Sequence, residues 1–195
     1  MKHLLIGLAI GLASTGAFAD SDHSTHSKYA GQQNREIKSL SEEDVAELRR
    51  GGGWGLALAA ELNGVPGPAH LLELKDSIHL SEDQVASITA LFNRMQKKAI
   101  KLGGKLIEQE RDLEKHFQEL TITDEILQSS LKKIEKTRRQ LRYTHLVTHL
   151  ETPKILSDHQ IMMYNDLRGY GEGDPCDNVP EGHDADMWRK HNGCE

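Results

Sequence analysis

Three pairs of side chains stand at intervals that metal coordination can use. His145 and His149 are one helical turn apart in Tyr143-Thr144-His145-Leu146-Val147-Thr148-His149. His159 and Met163 repeat that interval, and His70 stands three residues before Glu73. On a helix each pair shares a face, so two nitrogens, or a nitrogen with a thioether or carboxylate, can reach one ion. Zinc, copper, nickel or cobalt would suit such donors, although nothing in the sequence requires a cofactor. Each pair also has a plainer use. His145 and His149 would serve as partly buried histidines at a helix end, Met163 as core filler and His159 as a solvent-facing residue.

A second group of residues is cationic. Lys97, Lys98, Lys101 and Lys105 fall in one apolar-periodic stretch, and Lys132, Lys133, Lys136, Arg138, Arg139 and Arg142 in the next. Residues 124–150 carry a formal +3, whereas the whole chain carries −6. A local basic surface on an acidic protein attracts acidic partners over a long range. The same residues would also do as a solvated face with neighbours of opposite charge four positions away. Overall acidity argues against a nucleic-acid partner. Cys176 and Cys194 are the two cysteines, close to His183 and His191. A disulfide is the expected state after export, ahead of a metal set whose spacing matches no compact zinc pattern. No nucleophile elbow, phosphate loop, His-Glu-x-x-His or Cys-x-x-Cys occurs, so binding is expected rather than catalysis.

The elements that must carry these residues are helical. Of 195 residues 37% are hydrophobic and only 5% aromatic, and Leu, Lys, Glu, Gln and Arg dominate, a usage that favours helix over sheet. Ser81 with Gln84 forms a capping box. Behind it Val85, Ile88, Phe92, Met95, Ala99, Leu102, Leu106, Leu113 and Leu120 trace a heptad seam, interrupted by Gln109 and His116 at core-type positions. A helix over 82–119 would be about 55 Å long. Gly103-Gly104 within it marks a bend or a close backbone contact. Thr121-Ile122-Thr123-Asp124 makes a turn, and a second long helix runs to about Leu150 with the stripe Leu127, Leu131, Ile134 and Leu141. Ser157 with Gln160 caps a shorter helix. The expected fold class is all-α, a long antiparallel helical hairpin with short flanking helices. A stripe this narrow is hard to bury in a monomer of this size, so a homodimer sharing the seam is expected.

Residues 1–19 read as a signal peptide. Met1-Lys2-His3 precedes an apolar run, and Ala17-Phe18-Ala19 places cleavage before Asp20. Export to the periplasm follows, with neither a lipid nor a membrane anchor downstream; loss of Lys2 takes the charge from −6 to −7. Residues 20–39 are a flexible segment and 40–79 a short-helix extension in which Ser41 caps the first helix and Gly51-Gly52-Gly53 ends it. The hairpin domain spans 80–170. The tail, 171–195, holds seven acids against two bases and reads as flexible.

Leu80-Ser81-Glu82-Asp83-Gln84 and Leu156-Ser157-Asp158-His159-Gln160 are two copies of one box, L-[ST]-x-x-Q. Two such boxes behind a signal peptide, in an all-helical chain, resemble the Spy/CpxP superfamily over roughly Leu80 to Tyr170. The resemblance implies one of two activities. One is ATP-independent holding of unfolded clients by a dimeric helical cradle, which the cations Lys97, Lys101, Lys105, Lys132, Lys133, Lys136, Arg138, Arg139 and Arg142 would serve. The other is periplasmic heavy-metal binding or sensing, for which His145, His149, His159, Met163, His70 and Glu73 are the candidate ligands. Unfolded periplasmic proteins, or the domain of a membrane stress sensor, are the implied partners.

Overall fold

The computed structural model describes residues 27, 29–171, 179, 184–192 and 194. The signal-peptide segment, Cys176 and His183 lie outside them, as does the side chain of His191. Asn34–Glu195 form one compact unit and Met1–Gln33 another, whose described part is a turn at 29–31 leading into a 3-10 turn, Gln32–Asn34. All regular elements among the described residues are helical: α1 (Glu42–Arg50), α2 (Leu58–Glu61), α3 (Pro68–Glu73), α4 (Glu82–Gln118), α5 (Asp124–Glu151), α6 (Asp158–Leu167) and α7 (Ala185–Asn192), with a 3-10 turn, Thr152–Ile155, between α5 and α6. None is long and apolar enough to cross a membrane.

Local chemistry explains the helix starts. Ser41, Ser81 and Ser157 each accept a hydrogen bond from the backbone of the third helical residue, whose own side chain accepts one from the serine backbone N–H. Asp184 does the same one-sidedly for α7, accepting from Met187 N at 2.9 Å. The tail is therefore helical over eight residues, which its weak periodicity concealed.

α4 and α5 are joined by residues 119–123 and pack on one another. Arg94 Nη2 meets Glu151 Oε2 at 2.6 Å, and Arg138 Nε lies 3.9 Å from Glu110 Oε1. The seam is covered by this same chain. Ile37 from the 20–39 segment and Leu40 and Leu48 from the extension are buried with Ala99, Leu106, Ile107, Ile134 and Leu141, and Val45, Trp54 and Leu56 pack around them. Each fully buried Leu or Ile contributes about 1.5–3 kcal/mol. Glu36 holds Arg111 at 2.8 Å, and Lys38 holds Glu114 at 2.9 Å, at the edge of this contact. The extension and the long helices share one core rather than forming successive layers.

Gly103 is the close contact. α1 crosses α4 there, and a Cβ on Gly103 would collide with the Leu48 carbonyl oxygen. α4 runs through Gly103-Gly104 without interruption.

The seam departs from its sequence pattern at the far end. Leu120 lies in the turn, 88% exposed with φ 55°, and Leu131 is 44% exposed. On α5 the buried face is instead Ile134, Thr137, Leu141, Thr144, His145, Thr148 and His149. Three threonines bury by back-bonding: Thr144, Thr148 and Thr152 hydroxyls donate to the carbonyls of Gln140, Thr144 and Thr148 at 2.7–2.8 Å.

A second core lies at the other end, where Leu71, Ile78, Ile88 and Tyr164 are buried with Leu72, Leu74, Leu80, Ile155 and Leu156 around them. It joins α3, α4 and α6. The two capping boxes meet beside it. Gln84 and Gln160 exchange amide hydrogen bonds at 2.9 and 3.0 Å. Each Oε1 also caps its own Ser N–H at 3.0 Å, and Gln84 Nε2 donates to the Ile155 carbonyl at 2.8 Å. A glutamate would satisfy the cap but could not donate, so glutamine is the residue type both positions need.

Candidate functional site

Two polar regions stand out, one beside the C-terminal end of α5 and the other at its middle. At its C-terminal end Glu61, the last residue of α2, is buried. Four donors converge on Glu61 Oε1: His70 Nδ1 at 2.7 Å, Arg168 Nη2 at 2.8 Å, and the Tyr164 and Tyr170 hydroxyls at 3.3 Å each. Arg168 also donates to the Tyr170 hydroxyl at 3.2 Å and lies over its ring, 5.6 Å from the centroid. Burial pushes the Glu61 carboxyl up, but the His70 hydrogen bond and the charges of His70, Arg168 and His149 more than offset it and hold it at about 2. Burial, with the Glu61 charge added, raises the Tyr164 hydroxyl. This hub ties α2 and α3 to α6.

His145 and His149 are both buried beside the hub. His149 Nδ1 lies 2.8 Å from the Val65 carbonyl, and a Cβ on Gly67 would come within 2.6–2.7 Å of its ring, so only glycine lets the 65–67 segment cross here. His145 Nε2 is buried without a protein partner. Burial, with the nearby His149 adding to it, lowers His145 to about 4, so the ring is neutral at pH 7.

The candidate metal ligands do not gather into one set. Among the described residues no three His, Cys, Asp or Glu side chains share a point where an ion would sit. Glu73 and His159 are exposed, Met163 is half-buried on α6, and His70 is turned to Glu61 rather than toward Glu73. Cys194 is disulfide-bonded.

The second region is the middle of α4 and α5. Lys98, Lys101 and Leu102 from α4, with Arg139, Gln140 and Tyr143 from α5, line an open groove of about 530 Å³. Lys97, Lys105, Lys132, Lys133, Lys136 and Arg142 are also exposed on these two helices. Among the described residues none of these lysines, nor Arg139 or Arg142, stands in an ion pair. Arg138 differs: it lies 3.9 Å from buried Glu110 and stacks over Trp54, 5.1 Å from the ring centroid. Trp54 donates to Asp44 at 2.7 Å, and Ser39 to Glu110 at 3.0 Å. Arg138 thus braces the extension against the long helices, which accounts for a cation within an apolar stripe.

Glu61, Arg168, Tyr164, Tyr170 and Tyr143 were not among the residues singled out from sequence. Glu61 stands in Ala60-Glu61-Leu62-Asn63-Gly64, and a lone glutamate before a turn carries no sign of its distant partners. No known protein family, curated protein or solved structure matches the chain.

Proposed function

We propose that this is an exported, periplasmic protein of Spy/CpxP type that holds acidic, partly unfolded proteins without ATP on the basic face of an antiparallel α4–α5 hairpin. The observation that carries this reading is the groove between Lys98, Lys101 and Arg139: cations without ion-pair partners among the described residues, beside Leu102 and an exposed tyrosine. Long-range attraction brings the client in, and apolar contact then retains it. Structural charges on this chain are paired at close range; those of the groove are left for something else.

Heavy-metal binding or sensing is the weaker alternative, because the candidate ligands stay dispersed. Its support is His145, buried, neutral and unpartnered next to His149. Calorimetric titration with zinc, copper, nickel and cobalt checks it: affinity lost in His145→Ala/His149→Ala, and kept in Cys176→Ser/Cys194→Ser, would move the function to that pair.

The test of the leading reading is suppression of client aggregation. Reversing charge at Lys132, Lys133, Lys136 and Arg139 is expected to reduce it strongly and to remove most of its salt sensitivity. Unchanged suppression would eliminate electrostatic capture.

A further inference from the structure

We infer that the groove selects one class of segment, a large apolar side chain flanked on both sides by carboxylates, and that Tyr143 is the residue that sets this preference. The inference rests on the groove being the capture site and narrows what it captures.

The lining is mixed in a specific order. Lys98 and Lys101 stand on the α4 side with Leu102, and Arg139 stands on the α5 side one turn before Tyr143. Tyr143 is 60% exposed, and its hydroxyl makes no hydrogen bond among the described residues. Single exposed aromatics are common. This one borders a concavity lined by Leu102 and Gln140 and by the cations Lys98, Lys101 and Arg139, so its ring and Leu102 offer an apolar group two contacts. About 530 Å³ is within the size of sites that enclose a drug-sized group, so it admits a side chain or two and not a folded element.

Charge alone would rank partners by their number of acids. Leu102 and Tyr143 add a term that only an apolar side chain satisfies, through area removed from water and contact with the tyrosine ring. The spacing of the cations suits flanking acids. Lys98 and Lys101 are about 4.5 Å apart along the helix axis, and Arg139 and Tyr143 about 6 Å. In an extended segment the residues two before and two after the central one project to the same side as it, each roughly 6.6 Å from it, within reach of long, flexible lysine stems. An anionic bilayer offers charge but no side chain to fill a concavity, so a peptide segment is the better fit.

Four fluorescent, end-capped peptides test this by anisotropy on the intact mature protein: a central Phe between acidic pairs, the same with Ser for Phe, the same with Gln for the acids, and the same composition with Phe moved to one end. The central-Phe peptide is expected to bind about tenfold tighter than each of the others. Tyr143→Ser, checked for folding by circular dichroism, should abolish that preference and keep the salt dependence. Lys101→Gln/Arg139→Gln should weaken all the acidic peptides alike. Equal binding of the Phe and Ser peptides would overturn the selectivity while leaving charge capture standing. Failure of every acidic peptide, together with failure to hold an unfolded acidic client, would overturn the capture reading itself. Displacement of the central-Phe peptide by vesicles of anionic phospholipid, bound more tightly, would assign the groove to lipid instead.

Discussion

The end of α5 and its middle handle charge in opposite ways. At the end, Glu61 collects four donors on one oxygen, and Arg168 and His70 are held within 2.8 Å of it. In the middle, Lys98, Lys101 and Arg139 surround a groove, and no acid among the described residues forms an ion pair with them. Buried charge without a partner is costly, so a complete hub stabilises the fold. Exposed cations carry no such cost and are free to select a partner. The same residue types therefore build the fold in one region and face outward in the other.

The largest expected effect breaks the hub. Glu61→Gln leaves Arg168 and His70 around a neutral amide, and urea unfolding should show a loss of about 3–5 kcal/mol. A loss below about 1 kcal/mol would mean that the hub is not structural.

Acid probes the same end by titration. His145 has its folded pKa depressed from 6.5 to about 4, so the stability of its neutral state is complete above 6.5 and is lost as pH falls toward 4. Glu61, held at about 2 against an ordinary 4.5, adds a further loss below pH 4.5. Wild-type stability should fall by on the order of 3 kcal/mol between pH 7 and 4, and His145→Leu should remove most of that slope. A slope unchanged by the substitution would place the acid sensitivity elsewhere.

A smaller effect is expected where the boxes meet. Gln84→Glu keeps the cap acceptor but loses the donor to Ile155 and Gln160, at about 1–2 kcal/mol by thermal or urea unfolding. Gln84→Glu as stable as wild type would show that the boxes act only as separate caps. The smallest effect is expected in the groove. Lys101→Glu/Arg139→Glu should shift stability by no more than about 0.5 kcal/mol, since these side chains are exposed and unpaired.

Much of the frame was legible in the residues. Ser81 with Gln84 and Ser157 with Gln160 mark two helix starts, and the heptad spacing marks the length of α4, because caps and periodicity are local. Gly103 was legible as a close contact, though Leu48 as its partner was not. Harder to read was the buried face of α5. Thr144, Thr148 and Thr152 look polar until their hydroxyls are spent on backbone carbonyls one turn earlier. Glu61 was invisible for a different reason: its partners lie 9 residues away in one case and 103 to 109 in the others. Which of the basic residues on α4 and α5 are paired was not legible. Only the structure separates Arg138, stacked on Trp54, from its neighbour Arg139, which opens onto the groove.

The central claim is that unpaired cations on α4 and α5 capture acidic clients, and it is an assertion about encounter. Stopped-flow association of an unfolded acidic client, followed over a series of salt concentrations, reads it directly. The association rate should fall at least about tenfold from low to high ionic strength in the wild type. In Lys98→Glu/Lys101→Glu/Arg139→Glu it should be slow at every salt concentration. A rate independent of salt, and equal in the two proteins, would contradict the account.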